Sequence, residues 1–151
     1  MAISVPAYAD TSFLVSLYGN DAFSPAARAT VRKDGLPILL CDLNRLEFEN
    51  AMRLMRFRKL VAARFVQKAL AAFQTDTQAG LLQTAPIDWP LVFDRASRIS
   101  ARRTMRGGHR TMDILHVAIA RIQQAKRFYS FDTRQRALAR QEGMRLNDNT
   151  P

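Results

Sequence analysis

Thr111-Met112-Asp113-Ile114-Leu115-His116-Val117-Ala118-Ile119-Ala120, followed shortly by Phe128-Tyr129-Ser130-Phe131-Asp132, decides the fold. From Ile114 to Ala120 only His116 is polar, so the helix expected over Thr111–Lys126 is apolar nearly all round and belongs at the centre of the molecule. Phe128–Phe131 is too short for a helix and reads as a buried strand. Asp132 then opens a helix that runs to Gln141 and ends at Gly143. A buried helix, a strand and a helix in succession need crossover connections, and crossovers imply a parallel sheet covered on both faces.

The same alternation extends in both directions. Ile3–Ala9 reads as a first strand and Asp10–Gly19 as the helix after it. Ser24-Pro25 opens a helix to near Lys33, and Asp34-Gly35 closes it. Pro37–Cys41 is a second strand. Asp42 caps a long helix to near Arg58, and another helix reaches to near Phe73. Leu82–Ile87 is a third strand, and Asp88 caps a helix from Trp89 to near Met105. Arg106–Arg110 is a loop, and Met144–Leu146 a last strand. The expected fold class is α/β, a three-layer α/β/α sandwich around a central parallel sheet. A single domain spans 1–151, with a polar, flexible tail at 147–151.

Composition narrows the partners. The chain has 151 residues, 23 Lys plus Arg against 13 Asp plus Glu, a net charge of +10 and a sequence pI near 11.0. Polyanions, above all nucleic acid, are the natural ligands of such a surface. The single cysteine, Cys41, excludes an internal disulfide and a cysteine zinc site, and fits a reducing, cytoplasmic setting. No apolar run approaches the roughly 18 residues of a membrane span. Ala7-Tyr8-Ala9 mimics a signal-peptidase site, but no positive charge precedes it and the apolar segment is short.

Because acids are few, each can be asked for its reason. Asp34, Asp42, Asp88 and Asp148 sit at turns or caps, and Asp21, Asp76 and Asp94 read as surface residues. Asp10 follows the first strand directly, where open parallel sheets place ligands; it reads equally as a helix N-cap. Asp132 stands in the same relation to the strand before it. Glu49, four residues from both Arg45 and Arg53, belongs to a solvated, ion-paired face. Glu47 instead aligns with Leu43 and Ala51 and lies near Leu46 and Leu54. An acid on an apolar stripe wants a buried partner, preferably a cation, unless it snorkels to the rim. Asp113 begins the apolar helix, where the helix dipole alone would favour it. His116, one turn on, reads as a core or rim residue.

If the strands carrying Asp10 and Asp132 are neighbours, their carboxylates converge. Two carboxylates about 5 Å apart repel by roughly 3 kcal/mol at an effective dielectric near 20. A cluster of four calls for a cation or for protonation, and a hard divalent ion such as Mg²⁺ or Mn²⁺ suits oxygen ligands.

Four segments, in this order, resemble a PIN domain, and in particular the toxin ribonucleases of VapBC-type toxin–antitoxin pairs. They are Tyr8-Ala9-Asp10-Thr11-Ser12, Leu46-Glu47-Phe48-Glu49-Asn50-Ala51, Met112–Ala120, and Phe131-Asp132-Thr133-Arg134-Gln135 followed by Leu138-Ala139 and Gly143-Met144. The resemblance implies a sheet in the order 3-2-1-4-5 and RNA cleavage dependent on Mg²⁺ or Mn²⁺. It places Asp10, Glu47, Asp113 and Asp132 on the family's acidic metal positions. Ser130 falls where the family often carries a Thr or Ser that orients the site or its water. Glu49 adds a second acid beside Glu47, so the alignment can slip by two residues; the face argument favours Glu47. His116 matches no catalytic position of the family. The resemblance further implies a small antitoxin partner and a homodimer.

Two basic clusters abut these acids: Arg53 and Arg56 beyond Glu47, and Arg102, Arg103, Arg106 and Arg110 before Asp113. Arginine suits phosphate through its planar donors, so these six are the expected nucleic-acid contacts. A competing reading is a non-catalytic nucleic-acid-binding domain whose acids serve only as caps. An aspartyl-phosphate phosphatase wants a second Asp two residues after Asp10, where Ser12 stands.

Overall fold

The computed structural model of the chain describes residues 6–35 and 37–148. Ile3–Val5 of the expected first strand and residues 149–151 of the expected tail lie outside the described residues. Five short strands, β1 (Ala7–Ala9), β2 (Ile38–Leu40), β3 (Leu82–Thr84), β4 (Arg127–Tyr129) and β5 (Arg145–Leu146), form one sheet in the order β3-β2-β1-β4-β5. All pairings are parallel.

Helices cover both faces, as a parallel sheet requires. On one side α1 (Thr11–Tyr18), α2 (Ser24–Asp34), α3 (Asp42–Phe57) and α4 (Ala63–Gln78) enclose Phe13, Phe48 and Phe73 with Ala7, Ala9 and Tyr129 of the strands. On the other, α5 (Trp89–Gly107), α6 (Thr111–Ile122) and α7 (Thr133–Gln141) pack on Tyr8 and Phe128. Alternate strand residues therefore serve opposite cores. Every residue of α6 from Asp113 to Ala120 is buried, which is the central placement its composition calls for.

Several boundaries differ from expectation for local reasons. Asp42 is the first residue of α3 rather than its cap; the cap is Cys41, whose N–H is accepted by the Asn44 side chain at 2.9 Å. α4 runs to Gln78, past the expected end at Phe73, because the polar turn it adds is held. The Asp76 carboxylate accepts from Tyr18 at 2.6 Å, and the Thr77 hydroxyl donates to the Phe73 carbonyl at 2.8 Å. α5 takes in Arg106 and Gly107, leaving only Gly108–Arg110 as the loop. Gly108 ends α5 in the left-handed region, φ 63°, a conformation glycine adopts without strain. Asn147 is buried rather than part of a flexible tail. Its amide oxygen accepts from Ser130 N–H at 2.9 Å and from Arg136 at 3.1 Å.

Because β1 connects toward β2 and β3 while β4 and β5 lie on its other side, the strand order reverses between β1 and β4. A crevice at that reversal, outside the carboxyl ends of the strands, is where open α/β sheets hold ligands. Asp10 follows β1 and Ser130-Phe131-Asp132 follow β4, one residue group on each side of it.

Candidate active site

Asp10 is 1% exposed at the end of β1. It caps α1, its Oδ1 accepting from Phe13 N–H at 2.9 Å and from the Ser12 hydroxyl at 2.7 Å. Its Oδ2 accepts from the Ser130 hydroxyl at 2.5 Å. The cap and the sheet-edge position, weighed above as alternatives, therefore coincide in one residue. Burial pushes its carboxyl up from the ordinary aspartate range, against the pull of Ser130, Phe13, Ser12 and the charge of His116.

The two serines also tie the strand ends together. Ser130 Oγ accepts from Asp132 N–H at 3.0 Å, and Ser12 Oγ accepts from Phe131 N–H at 3.1 Å. Each hydroxyl thus spends its proton on Asp10 and its lone pair on the β4 end, so the Asp10 carboxylate and the Asp132 backbone share a hinge at Ser130.

Asp132 caps α7 through Gln135 N–H at 2.9 Å, and its side chain is 36% exposed. Asp113, in the first turn of α6, is buried; its Oδ2 accepts from Arg110 Nε at 3.1 Å. The same guanidinium reaches toward Asp132 Oδ2 at 3.7 Å, so Arg110 stands between the two acids. Gln135 adds a second link, its side chain donating to the Asp113 carbonyl at 3.3 Å. The hydrogen bond to Asp113 and then the charges of both acids hold the Arg110 guanidinium above its ordinary value.

Glu47 sits on the flank of α3. The buried positions of that helix are Asn44, Phe48 and Met52, whereas Leu46 and Leu54 are exposed, so the apolar stripe lies one position away from the one expected. The side chain of Glu47 is 28% exposed. Its partner is internal: Oε1 accepts from Thr11 Oγ1 at 3.0 Å and from His116 Nε2 at 2.5 Å. Burial alone would push this carboxyl up; the His116 hydrogen bond and charge, with Thr11, outweigh it and hold Glu47 below the usual range.

The Asn44 amide nitrogen donates to the Ala9 carbonyl at 2.7 Å, and its Oδ1 accepts from Cys41 N–H at 2.9 Å and faces the Tyr8 hydroxyl at 3.1 Å. The same hydroxyl lies 2.7 Å from His116 Nδ1, and Nε2 meets the Glu47 carboxylate. His116 is 3% exposed, in keeping with its reading as a core residue, but its bond to Glu47 is a link the sequence reading leaves out.

The four acids thus lie along one edge, each matched by a protein donor, rather than crowding unpaired into one pocket. Among the described residues no three His, Cys, Asp or Glu side chains stand together closely enough to hold an ion as they are. The donor chemistry nonetheless suits a hard divalent cation, being all oxygen. Glu47 Oε2 and Asp113 Oδ1 make no hydrogen bond among the described residues, and Asp132 Oδ2 has only the long contact to Arg110.

The expected basic contacts divide. Arg102 and Arg103 are both turned onto Glu142, at 3.1 and 3.0 Å. The Glu142 side chain is 8% exposed and, at the C-cap of α7, ties that helix to α5, a role the sequence gives no sign of. Arg106 and Arg56 are exposed. Arg53 pairs with Glu49 at 3.5 Å, as its spacing implies, whereas Arg45 turns to Asp42 at 3.2 Å instead of to Glu49. A groove of about 480 Å³ between α3 and α4, lined by Arg45, Glu49, Arg53 and Phe73, lies on the Glu49 side of α3 and includes none of the four acids. No helix among the described residues is long and apolar enough to cross a membrane.

The sequence matches the family profile described as PIN domain over residues 7–141. No curated protein matches it. Among solved structures, the chain resembles the Mycobacterium tuberculosis toxin VapC20, described as cleaving the sarcin–ricin loop. The TM-score is 0.64 at 20% identity, over 87% of this chain and 93% of that one. The likeness extends to the fold, whose strand order is the one the sequence resemblance implies.

Proposed function

We infer the function from one premise, that the chain belongs to the PIN domain family. It is an endoribonuclease that works with a divalent metal, Mg²⁺ or Mn²⁺, and serves as the toxin of a type II toxin–antitoxin pair. The observation that carries this reading is the buried Asp10 at the sheet's reversal point, with Glu47, Asp113 and Asp132 placed around it on the same edge.

Glu47, Asp113 and Asp132 would hold the metal through carboxylate oxygens left without a short hydrogen bond, once Arg110 is displaced, and Asp10 would join them through a remaining lone pair of an oxygen that already accepts from a serine. The ion supplies Lewis-acid activation of water and neutralises charge on the phosphoryl oxygens. Ser12 and Ser130 keep the Asp10 carboxylate from rotating, and Ser130 couples it to the Asp132 backbone. A carboxylate, Asp132 or Glu47, would accept a proton from the attacking water, the 36% exposure of the Asp132 side chain supporting Asp132. Arg110, released from the acids, would bind the phosphate being cut, and the exposed Arg56 and Arg106 would take flanking phosphates, joined by Arg53, Arg102 and Arg103 only on leaving Glu49 and Glu142. Products carry 5′-phosphate and 3′-hydroxyl ends. A small antitoxin, a homodimer and a cytoplasmic setting complete the proposal. Because VapC20 is a sarcin–ricin loop cleaving toxin, ribosomal RNA is the first substrate to try.

The test is cleavage of RNA by the purified protein with Mg²⁺ or Mn²⁺, with chelator, and with Asp10→Asn. Cleavage that needs the metal and falls to background in Asp10→Asn is expected. Metal-independent cutting, or Asp10→Asn as fast as wild type, would end the site assignment.

A further inference from the structure

On the basis of that ribonuclease reading, we propose that His116 is a positioning residue that aims Glu47, closing a buried ring of hydrogen bonds that ties the α3 carboxylate to both sides of Asp10. Glu47 Oε1 is gripped by two donors. One is Thr11, the residue after Asp10. The other is His116, whose second nitrogen rests on Tyr8. Tyr8 donates to Asn44, and Asn44 donates to the carbonyl of Ala9, the residue before Asp10. The circuit therefore starts and ends on the peptide segment that carries Asp10.

Two features separate this from an ordinary core histidine. A core histidine needs two partners of any kind, and backbone carbonyls usually serve. Here one partner is an acid whose side chain is 28% exposed at the candidate active site. Second, both donors converge on one oxygen, Oε1, which uses up that oxygen and leaves Oε2 facing away from the ring with no hydrogen bond among the described residues. Ring members Tyr8 and Asn44 are both fully buried, so the carboxylate is referenced to the centre of the fold rather than to a surface side chain. Partners of this kind, which orient a ligand without touching the ion, typically govern metal affinity by about 10- to 100-fold.

Side-chain reach supplies the test. Gln at 116 can place its amide nitrogen near the Nε2 position, whereas Asn can reach only the Nδ1 position. His116→Gln keeps the donor to Glu47 and loses Tyr8; His116→Asn keeps Tyr8 and loses Glu47. Mn²⁺ affinity is measured by calorimetry on the full chain without RNA, alongside thermal melts and kcat against KM for RNA cleavage. His116→Asn should weaken Mn²⁺ binding by about 10- to 100-fold, and His116→Gln should restore most of it. The loss in kcat should shrink at saturating metal, with KM for RNA unchanged. Should His116→Asn not fold, Tyr8→Phe keeps the packing and removes the hydroxyl, and should weaken Mn²⁺ binding by a smaller factor. Equal Mn²⁺ affinity in wild type, His116→Asn and Tyr8→Phe would overturn the positioning role while leaving the nuclease intact, as would equal losses in His116→Gln and His116→Asn. A wild-type protein that neither binds Mn²⁺ nor cuts RNA would overturn the ribonuclease reading itself, and this proposal with it.

Discussion

Asp10 and Glu47 form an inner pair, held by groups of the fold's interior, and Asp113 and Asp132 an outer pair, held through an exposed arginine; the two pairs are neutralised by different means. The inner acids are held by groups the fold cannot move: two hydroxyls and a backbone N–H for Asp10, a buried imidazole and a hydroxyl for Glu47. The outer acids share one arginine whose side chain is 63% exposed. The inner half is organised before any ligand arrives, because its donors are fixed by tertiary structure. The outer half is held by a flexible arm that can leave. An edge built this way keeps carboxylates close without a resident ion, yet gives up only the contacts of one exposed arginine, to Asp113 and Asp132, when an ion comes.

The largest separation between the halves should come from Ser130. Ser130→Ala removes the donor to Asp10 Oδ2 and strands the Asp132 N–H that Ser130 Oγ accepts. An unsatisfied buried polar group costs about 1–3 kcal/mol, so a clear drop in Tm is expected, with a fall in kcat as Asp10 loses its orientation. Ser12→Ala touches the same carboxylate from a less buried position and should cost less. If Ser130→Ala melted and cut RNA like wild type, the inner half would not be pre-organised in the sense argued here.

A second measurement separates the two inner acids by the sign of their pH response. Burial raises the Asp10 carboxyl, so its contribution to stability is complete below the unfolded value of about 3.9 and is lost as pH climbs through the raised value. Asp10→Asn should therefore gain stability relative to wild type as pH rises above about 3.9. Glu47 is lowered overall, since His116 and Thr11 outweigh its burial. Its contribution is present above about 4.3 and is lost as pH falls through the lowered value. Glu47→Gln should be weakest relative to wild type near neutrality and approach it in acid. Melting curves from acid to neutral pH would show slopes of opposite sign, that of Glu47→Gln below about 4.3 and that of Asp10→Asn above about 3.9; slopes of the same sign would mean that the two carboxylates share one environment.

Much of this was legible in the sequence, for reasons that can be stated residue by residue. The alternation of apolar runs and capped helices placed all five strands, because each carries a short apolar run between helix caps, wholly apolar in β1 and β2 and reduced to one or two apolar residues in β3, β4 and β5. Asp10, Asp88 and Asp132 are the caps their spacing implies. What periodicity could not show is which polar residues are buried. Asn44 occupies the inward face of α3 because its amide is satisfied by Ala9, Cys41 and Tyr8, partners far apart in the chain. That displaces the stripe, exposes Leu46 and Leu54, and leaves Glu47 on the flank. His116 gave one usable signal, a lone polar side chain in a run of seven residues from Ile114 to Ala120. Its partner, Glu47, lies 69 residues away and only the fold pairs them. Glu142 gave no signal, since its two arginines belong to a different helix.

The smallest effect on stability should be at Arg110, and there the two halves are compared most sharply. Arg110→Ala removes an exposed guanidinium from the buried Asp113 and the part-exposed Asp132, so Tm should move less than in Ser130→Ala. RNA binding should respond instead. Losing one phosphate contact weakens affinity on all sequences and lowers the salt slope of log K by roughly one. Mn²⁺ binding without RNA should tighten, because the ion no longer displaces a guanidinium from Asp113 and Asp132. His116→Asn is expected to move the same quantity the other way. Opposite changes in Mn²⁺ affinity from two neighbouring donors would distinguish a side chain that aims a ligand from one that occupies its place. A loss of Mn²⁺ affinity in Arg110→Ala would instead make Arg110 part of the fixed scaffold, and the division into inner and outer halves would fail.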